Sequence, residues 1–453
     1  MHKSFTARAE APVQVWLYTT AAFEALENDP FPGARAMAKA QKFTGGAGQL
    51  LLAHDADGAL AHVLGGIGDG KDALAVAALS GKLPEGAYKV AHDGGLPMAS
   101  IAAGWADGAY RFDRYLKDKA KPPKLVIPGG KAGEALSREA DAVALLRDLV
   151  NTPAGDMTPA AIHAAISDLA EEFDAKVSAV VGDDLLDQNY PMVHAVGRAA
   201  KAEPRFVELE WGDPKKPKLA LVGKGVTFDS GGLDIKPSSG MRIMKKDMGG
   251  SAHVIALAKL VMGANLPVHL KLYVPTVENA ISGDSFRPGD ILPSRKGLTV
   301  EIDNTDAEGR LILADALARA SEFKPDLLID FATLTGAARV ALGADLAPVY
   351  SDDEQLIAEI QAGAAESGDP VWRMPLWDPY MAELKSPVAD LVNSGSGFAG
   401  SITAALFLKQ FVDAKSWAHL DVWAWRKSKY GRPEGAAACG LRAIWTMLQK
   451  RYA

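Results

Sequence analysis

Short apolar segments alternate with amphipathic ones over most of the chain beyond residue 151, and this alternation restricts the possible folds more than any other feature. Segments rich in Val, Ile and Leu begin at Lys176, Lys218, His269, Leu298, Asp326 and Ala418. Between most of them lie segments with the spacing of amphipathic helices, such as SAHVIALAKLVMG and GRLILADALARASEF. Strands that alternate with helices form a mostly parallel or mixed sheet with helices on its faces. The pattern therefore predicts an α/β fold.

The domain organisation follows from one long helical run. The chain has 453 residues, which is enough for two domains with separate cores. The run KAGEALSREADAVALLRDLVN extends from Lys131 to Asn151, and Pro153 follows it closely. Proline does not continue a helix, so the run predicts a connecting helix that ends there. We predict a smaller N-terminal α/β domain over residues 1–130, a linking helix over 131–151 and a larger C-terminal domain over 152–453.

Composition excludes several classes of protein. The chain is 48% hydrophobic and 23% charged, which argues against disorder as its main state. Its net charge of −7 disfavours broad binding to nucleic acid or to an anionic membrane. Cys439 is the only cysteine, so neither an intramolecular disulfide nor a thiolate zinc site can form. With no apolar run near ~20 residues and no signal peptide, we predict a cytoplasmic protein.

Glycine-rich polar clusters follow three of the predicted strands. GKGVTFDSGG follows KLALV, NTDAEGR follows LTVEI, and TLTGA follows DLLIDFA. Ligands of open α/β sheets bind beyond the C-terminal ends of the strands. The clusters therefore predict one site, assembled from distant parts of the chain.

Acidic residues are prominent in and near these clusters. Asp229 lies in TFDSGG and Asp247 in MKKDMGG, while Asp303, Asp306 and Glu308 crowd six positions. A solvated turn or a helix cap is one interpretation of the crowded acids, because the helix dipole favours negative charge there. The other is convergence, which requires positive charge to neutralise the carboxylates. Carboxylate sites suit Mg²⁺ or Mn²⁺, and Zn²⁺ also accepts carboxylates.

Basic side chains could supply part of the neutralising charge. The candidates are Lys224, Lys236, Lys245, Lys246 and Arg310. A lysine beside dications could be a neutral nitrogen ligand or a salt-bridge partner, and the residues alone leave both open. The spacing around Lys224 is not that of a phosphate-binding loop. The histidines nearest to these motifs, His253 and His419, are predicted to be structural residues.

Together these motifs resemble the leucyl aminopeptidase family, the cytosol aminopeptidases of peptidase family M17, with similarity to its peptidase B branch. NTDAEGRL, from Asn304 to Leu311, looks like the family signature. VGKGVTFDSGGLDIKP and MKKDMGG match two further family blocks. LVNTPAGDMTP, DFATLTGA and GSITAALFLKQFV are also similar to family segments. The resemblance extends from Leu149 to the end of the chain.

The resemblance implies a dinuclear site for two divalent metal ions, Mn²⁺ or Zn²⁺. The ligands of the family's tighter metal correspond to Lys224, Asp229, Asp247 and Glu308. Those of the more exchangeable metal correspond to Asp229, Asp306 and Glu308. Asp303 lies outside the signature and is interpreted as a turn residue.

The resemblance also implies an activity. Lys236 would polarise the scissile carbonyl, and Arg310 would hold a bicarbonate ion that accepts the proton of the attacking water. The expected enzyme is a metalloaminopeptidase that releases N-terminal residues from peptides and assembles as a homohexamer. A two-metal phosphoesterase, or a catalytically silent binding protein on the same fold, is the alternative.

One block departs from the family pattern. The late strand typically reads HLDIAG, whereas this chain has HLDVWAW, so Trp423 stands where a small residue is expected. Met244, Thr333 and Gly336 match other positions of the family's pocket for the first side chain. If Trp423 faces that pocket it would shrink or reshape it, and otherwise it packs in the core.

Overall fold

A computed structural model describes residues 1–72, 75–119, 121–428 and 434–452. The chain divides into two compact units, Met1–Ala144 with Lys427–Gly435, and Leu145–Arg426 with Ala436–Ala453. Within the described residues, no helix combines the length and apolar character needed to span a bilayer.

The N-terminal unit is built on a six-stranded sheet. Its strands are β1 (Phe5–Thr6), β2 (Val13–Tyr18), β3 (Leu50–His54), β4 (Leu60–Gly66), β5 (Ala87–His92) and β6 (Lys124–Val126). Its helices are α1 (Thr20–Glu24), α2 (Ala34–Ala40), α3 (Ala77–Ser80) and α4 (Met98–Ala109). The strand order is β1-β6-β5-β2-β4-β3, and β3 is antiparallel to β4 while the other pairs are parallel. Trp105 of α4 is fully buried in the core of this unit.

A long helix, α5 (Gly130–Asn151), occupies the segment where the sequence predicts a connecting helix. The division between the two compact units falls inside it, between Ala144 and Leu145. The domain limits drawn from the sequence remain a prediction.

The second unit contains most of the remaining elements. The strands are β7 (Lys176–Val181), β8 (Arg205–Trp211), β9 (Lys218–Gly223), β10 (Gly225–Asp229), β11 (His269–Asn279), β12 (Ile291–Pro293), β13 (Thr299–Glu301), β14 (Leu327–Ala332), β15 (Ala347–Tyr350), β16 (Val371–Arg373), β17 (Leu391–Val392), β18 (Trp417–Asp421), β19 (Trp425–Arg426) and β20 (Gly435–Ala436). The helices are α6 (Pro159–Phe173), α7 (Asp184–Asp187), α8 (Pro191–Gly197), α9 (Ser238–Met241), α10 (Gly249–Gly263), α11 (Glu308–Glu322), α12 (Gly336–Leu342), α13 (Glu354–Ser367), α14 (Gly400–Lys409) and α15 (Leu441–Arg451). Two 3-10 helices cover Met244–Met248 and Asp378–Leu384.

A nine-stranded mixed sheet forms the centre of this unit, in the order β16-β15-β18-β14-β9-β11-β8-β7, with β10 beside β11. The four central strands β18, β14, β9 and β11 are parallel, whereas β15, β8 and β7 are each antiparallel to a neighbour. Strands β9, β14 and β18 are buried almost along their whole length. Helices α10 and α11 both pack against β9. The predicted two-domain α/β fold with a mostly parallel or mixed sheet is confirmed.

Two predicted strands differ from the observed ones. The segment from Leu298 forms β13, which pairs with β12 and β17 in a separate three-stranded sheet rather than joining the central one. The segment from Ala418 forms a strand only as far as Asp421. Ala424, three residues later, adopts a left-handed conformation with φ of 56°. Trp423 therefore lies in a loop and not in a strand.

Candidate metal centre

The central strands bring the polar clusters to one edge of the sheet. Strand β9 leads directly into Lys224 and strand β14 into Thr333, while β10 ends in Asp229. The pairing of Gly223 with Phe331 places the ends of β9 and β14 side by side. Parallel strands end at the same edge, so residues far apart in sequence become neighbours there.

Three carboxylates converge at this edge. Asp229, Asp306 and Glu308 each offer an oxygen, and these oxygens lie within 4.8 Å of one another. Asp229 and Glu308 are buried, whereas Asp306 is partly exposed. Among the described residues, this is the one group of three or more acidic, histidine or cysteine side chains with such spacing. Of the three crowded acids, Asp306 and Glu308 thus join the cluster and do not form a solvated turn.

Lys224 joins two of the acids. Its Nζ lies 2.6 Å from Asp247 Oδ2 and 2.8 Å from Glu308 Oε1, and it donates a hydrogen bond to the Thr333 carbonyl at 2.9 Å. Burial alone would lower the pKa of Lys224, but the charges of Asp247 and Glu308 raise it above its ordinary value. These contacts are those of a salt bridge, and a ligand role for Lys224 remains a prediction.

Glycine is required beside this lysine. A Cβ on Gly309 would lie 2.5 Å from Lys224 Cε and 2.6 Å from its Nζ. Real atoms do not approach so closely, so Gly309 lets the start of α11 pass directly over the ammonium group. The signature thereby supplies both an acid, Glu308, and the space that its partner Lys224 needs.

Lys236 neutralises the other side of the cluster. Its Nζ lies 2.8 Å from Asp229 Oδ2 and also contacts Asp306 Oδ1. Burial would lower the pKa of Lys236, but Asp229, Glu308 and Asp306 raise it. Burial, together with the charge of Asp229, raises the pKa of Asp306. The carboxylates are therefore close enough to need a shared positive charge.

The surroundings of Glu308 test whether a metal fits the cluster. Glu308 is fully buried, yet neither of its oxygens makes a hydrogen bond to any described residue, although Oε1 is within ion-pair distance of Lys224. Burial and then the charge of Asp229 raise the pKa of Glu308. A buried carboxylate without hydrogen bonds is costly unless a cation is bound to it. Oxygen donors of this kind suit Mg²⁺, Mn²⁺ or Zn²⁺, so the residues present fit a divalent cation.

Arg310 places a buried positive charge beside the cluster. Its Nη1 donates to the Asn393 carbonyl at 2.8 Å, while its Nε has no hydrogen-bond partner among the described residues. Burial lowers the pKa of Arg310 to about 10, against the opposing charges of Glu308 and Asp421. A buried guanidinium with a free donor suits an anion.

Two asparagines support the acids and were not singled out from the sequence. Asn279, the last residue of β11, donates from Nδ2 to Asp229 Oδ1 at 2.9 Å. Asn393 follows β17, and its Oδ1 accepts from the backbone N–H groups of Asp303 and Asn304 at 2.8 and 3.2 Å. Asn279 ends an apolar strand and Asn393 follows one, and a polar residue at the end of an apolar strand is also the pattern of the other clusters.

The four residues assigned to the first-residue pocket have different surroundings. Thr333 Oγ1 donates to Asp247 Oδ1 at 2.9 Å, and Met244 is buried on the first 3-10 helix. A Cβ on Gly336 would meet no atom within 4 Å, so the start of α12 borders open space. The Trp423 ring centroid lies 4.0 Å from Lys246 Nζ and 4.4 Å from Arg339 Cζ.

The residues interpreted as structural lie outside the cluster. Asp303 is exposed and accepts a hydrogen bond from Ser394. His253 Nδ1 is 2.6 Å from the Gly249 carbonyl, and its Nε2 accepts from the Cys439 N–H at 3.1 Å. His419 Nδ1 contacts Asp330 Oδ1 at 2.5 Å inside the sheet. These partners agree with the structural roles predicted for both histidines.

Comparison with known proteins identifies the family. The catalytic-domain model of the cytosol aminopeptidase family matches residues 144–445, and the model of the M17 aminopeptidase N-terminal domain matches residues 13–128. The chain belongs to the cytosol aminopeptidase family. It is therefore a metal-dependent aminopeptidase, and the matches give no support to the phosphoesterase or the silent binding protein.

Relatives match this aminopeptidase over most of their length. A probable cytosol aminopeptidase of Geobacter sp. (strain M21) is 41% identical over 376 residues, covering 79% of this chain and 76% of that protein. The crystal structure of the Coxiella burnetii cytosol aminopeptidase is 41% identical, with a TM-score of 0.93 and 98% of each chain covered. The structure of the bottromycin maturation enzyme BotP in complex with Mn is 33% identical, with a TM-score of 0.87. The match covers 98% of this chain and 100% of that one.

Proposed function

We propose that this aminopeptidase removes N-terminal residues from peptides with the help of two divalent cations held at the carboxylate cluster. The observation that carries the proposal is the convergence of Asp229, Asp306 and Glu308, with buried Glu308 oxygens that have no hydrogen bond. The Mn complex of the 33% identical BotP supports Mn²⁺ as one of the metals used. Zn²⁺ would fit the same donors.

The proposed ligands divide into two overlapping sets. Lys224, Asp229, Asp247 and Glu308 would hold the tighter cation, and Asp229, Asp306 and Glu308 the more exchangeable one. When bound, the cations supply the positive charge that acidifies a water molecule and binds the free α-amine of the substrate. A substrate without a free amine would lose that anchor, which limits cleavage to the first peptide bond.

Lys236 is the proposed electrophilic group of this chain. It would donate a hydrogen bond to the carbonyl oxygen of the first peptide bond and stabilise the negative charge that develops there. Its ammonium lies within the cluster, 2.8 Å from Asp229 Oδ2, which supports a role in the reaction itself.

Arg310 is proposed to hold a bicarbonate ion that acts as the general base. Its buried guanidinium has an Nε donor without a partner among the described residues, and this supports anion binding. The anion would accept the proton of the attacking water, so that no protein carboxylate has to leave the cluster to do so.

Met244, Thr333, Gly336 and Trp423 are the proposed lining of the pocket for the first side chain. A tryptophan in this set would narrow the pocket, so small first residues are expected to be preferred over large ones.

We also propose, on family grounds, a cytoplasmic homohexamer with the domain limits predicted from the sequence. Light scattering of the purified protein tests the assembly.

Hydrolysis of aminoacyl p-nitroanilides tests the central proposal. Protein freed of metal with a chelator should be inactive, regain activity with Mn²⁺ or Zn²⁺, and leave N-acetylated substrates intact. Cleavage of acetylated and free substrates at equal rates would refute the amine anchor. Full activity in the chelated protein would refute the metal role.

A further inference from the structure

Asp421, a buried acid, uses all of its hydrogen-bonding capacity on one loop and one helix. Its Oδ1 accepts from the backbone N–H groups of Leu334 at 2.9 Å and Thr335 at 3.2 Å. Its Oδ2 accepts from Thr335 Oγ1 at 2.6 Å and from Ser401 Oγ at 3.3 Å. Three of the four donors thus belong to the loop that leaves β14. No role proposed above uses Asp421.

Strand pairing explains why this acid reaches the loop. Strands β14 and β18 are parallel and Ala332 pairs with Asp421, so the two strands end side by side. The Val422 N–H then donates to the Ala332 carbonyl at 2.8 Å and closes the end of the pair. The side chain of Asp421, at the end of β18, therefore fixes the path of the backbone that leaves β14.

The fixed loop is also the one that orients two of the proposed metal ligands. The Thr333 carbonyl accepts from Lys224 Nζ at 2.9 Å, and Thr333 Oγ1 donates to Asp247 Oδ1 at 2.9 Å. Thr333 precedes the first backbone group held by Asp421 by one residue. A shift of this loop would therefore move the acceptor of Lys224 and the donor to Asp247 together.

We propose that Asp421 is a positioning residue: by clamping the loop at Leu334 and Thr335 it sets the orientation of Lys224 and Asp247, and hence metal affinity and turnover. This inference rests on the proposed metal role of those two residues. Groups that hold metal ligands in place typically change metal affinity by ~10–100-fold when they are removed.

Asp421→Asn is the test, with Asp330→Asn as the matched control. Asp330 is also buried, lies on β14, and accepts from Trp417 Nε1 at 2.7 Å and from His419 Nδ1 at 2.5 Å, away from the loop. Mn²⁺ titration of the metal-free proteins should show affinity at least ~10-fold weaker for Asp421→Asn and little changed for Asp330→Asn. At saturating Mn²⁺, kcat should fall in the Asp421 variant while KM changes less, whereas both variants lose thermal stability.

The outcomes separate this inference from the proposed function. Normal Mn²⁺ affinity and kcat in Asp421→Asn, or equal losses in Asp330→Asn, would overturn the positioning role. Wild-type protein that binds no Mn²⁺ would overturn the proposed function and this inference with it.

A second pair of variants decides the matter if Asp421→Asn does not fold. Thr335→Val removes the hydroxyl that donates to Asp421 Oδ2 and accepts from the Ala338 N–H, and Thr335→Ser keeps both contacts. Mn²⁺ affinity should fall in the valine variant and return in the serine variant. Unchanged affinity in Thr335→Val would overturn the inference.

Discussion

His253 and Glu308 are both fully buried polar side chains on helices that pack against β9, but their surroundings differ completely. The imidazole of His253 has a partner at each nitrogen, the Gly249 carbonyl and the Cys439 N–H. The ring also stacks on Phe331, with 5.2 Å between the centroids. Glu308 has an ion-pair contact with Lys224 at 2.8 Å, but neither of its oxygens has a hydrogen bond within the described residues.

The difference indicates which buried polar group serves the fold and which serves the reaction. A buried group whose donors and acceptors are all used contributes to stability, because removing it leaves its partners unsatisfied. A buried carboxylate near other carboxylates destabilises the protein until a cation binds. Stability therefore should depend on His253, and activity on Glu308.

The largest expected effect comes from Glu308→Gln. The amide cannot supply the charge that the proposed cations need, so metal affinity should fall and kcat/KM should drop at least roughly 10³-fold. The substitution also removes repulsion between Glu308 and Asp229, while Lys224 keeps its ion pair with Asp247, so the metal-free variant should melt at or above the wild-type temperature. Peptidase assays and thermal melts in chelator measure the two quantities.

Asp303→Asn is the control for this variant. Asp303 lies five positions before Glu308 but is exposed, so activity should stay within about twofold of wild type. Wild-type kcat/KM in Glu308→Gln would remove Glu308 from the proposed site.

Gly309→Ala should have the next largest effect. The new Cβ would lie within 2.5 Å of Lys224 Cε, and the flexible lysine can move away while the helix stays in place. Displacing Lys224 from Asp247 and Glu308 should lower kcat/KM by about 10²-fold, and it should also lower thermal stability because a buried ion pair is broken. Gly240→Ala is the control, because a Cβ there meets its nearest atom at 3.7 Å. Equal activity in the two variants would show that the close approach has no role in catalysis.

The neighbourhood of the site is predictable because its residues sit in compact sequence motifs, most of which follow strands. Such motifs contain the five residues that the structure places close together: Lys224, Asp229, Asp247, Asp306 and Glu308. Their roles as ligands remain predictions. Asn393 was missed, since its contacts with Asn304 and Arg310 cross more than eighty residues of chain and no local pattern records them.

The errors in the fold have a similar origin. Alternation in the sequence predicts that a strand forms, but it does not say which strand it pairs with. The segment from Leu298 is a strand, and its pairing with Leu391 and Val392 places it outside the central sheet. The strand from Ala418 ends at Asp421, and Ala424, three residues later, takes a left-handed conformation that hydrophobicity alone does not indicate.

Acid titration tests the contribution of His253 to stability. Burial lowers the pKa of His253 from 6.5 to about 4. Its folded pKa lies below the unfolded value, so its contribution to stability is complete above pH 6.5 and is lost as the pH falls toward 4. Relative to His253→Gln, which cannot titrate, wild-type protein should lose roughly 2 kcal/mol more between pH 6.5 and pH 5.

Urea unfolding in the presence of chelator measures this difference without a contribution from metal release. His54→Gln, at an exposed histidine, is the matched control. Parallel pH profiles for wild type and His253→Gln would mean that the buried ring accepts a proton freely, contrary to the partners seen at its two nitrogens.

The smallest expected effect, in Trp423→Ala, concerns substrate choice and not the rate of the reaction. The ring is restrained by cation–π attraction to Lys246 and Arg339, which lie 4.0 and 4.4 Å from its centroid. If the restrained ring lines the pocket, its removal should raise kcat/KM for phenylalanyl amides relative to alanyl amides by roughly tenfold. Trp372→Ala, at a tryptophan that is 57% exposed, should leave the ratio unchanged. An unchanged ratio in Trp423→Ala would show that Trp423 does not line the pocket and that, like His253, it serves only the fold.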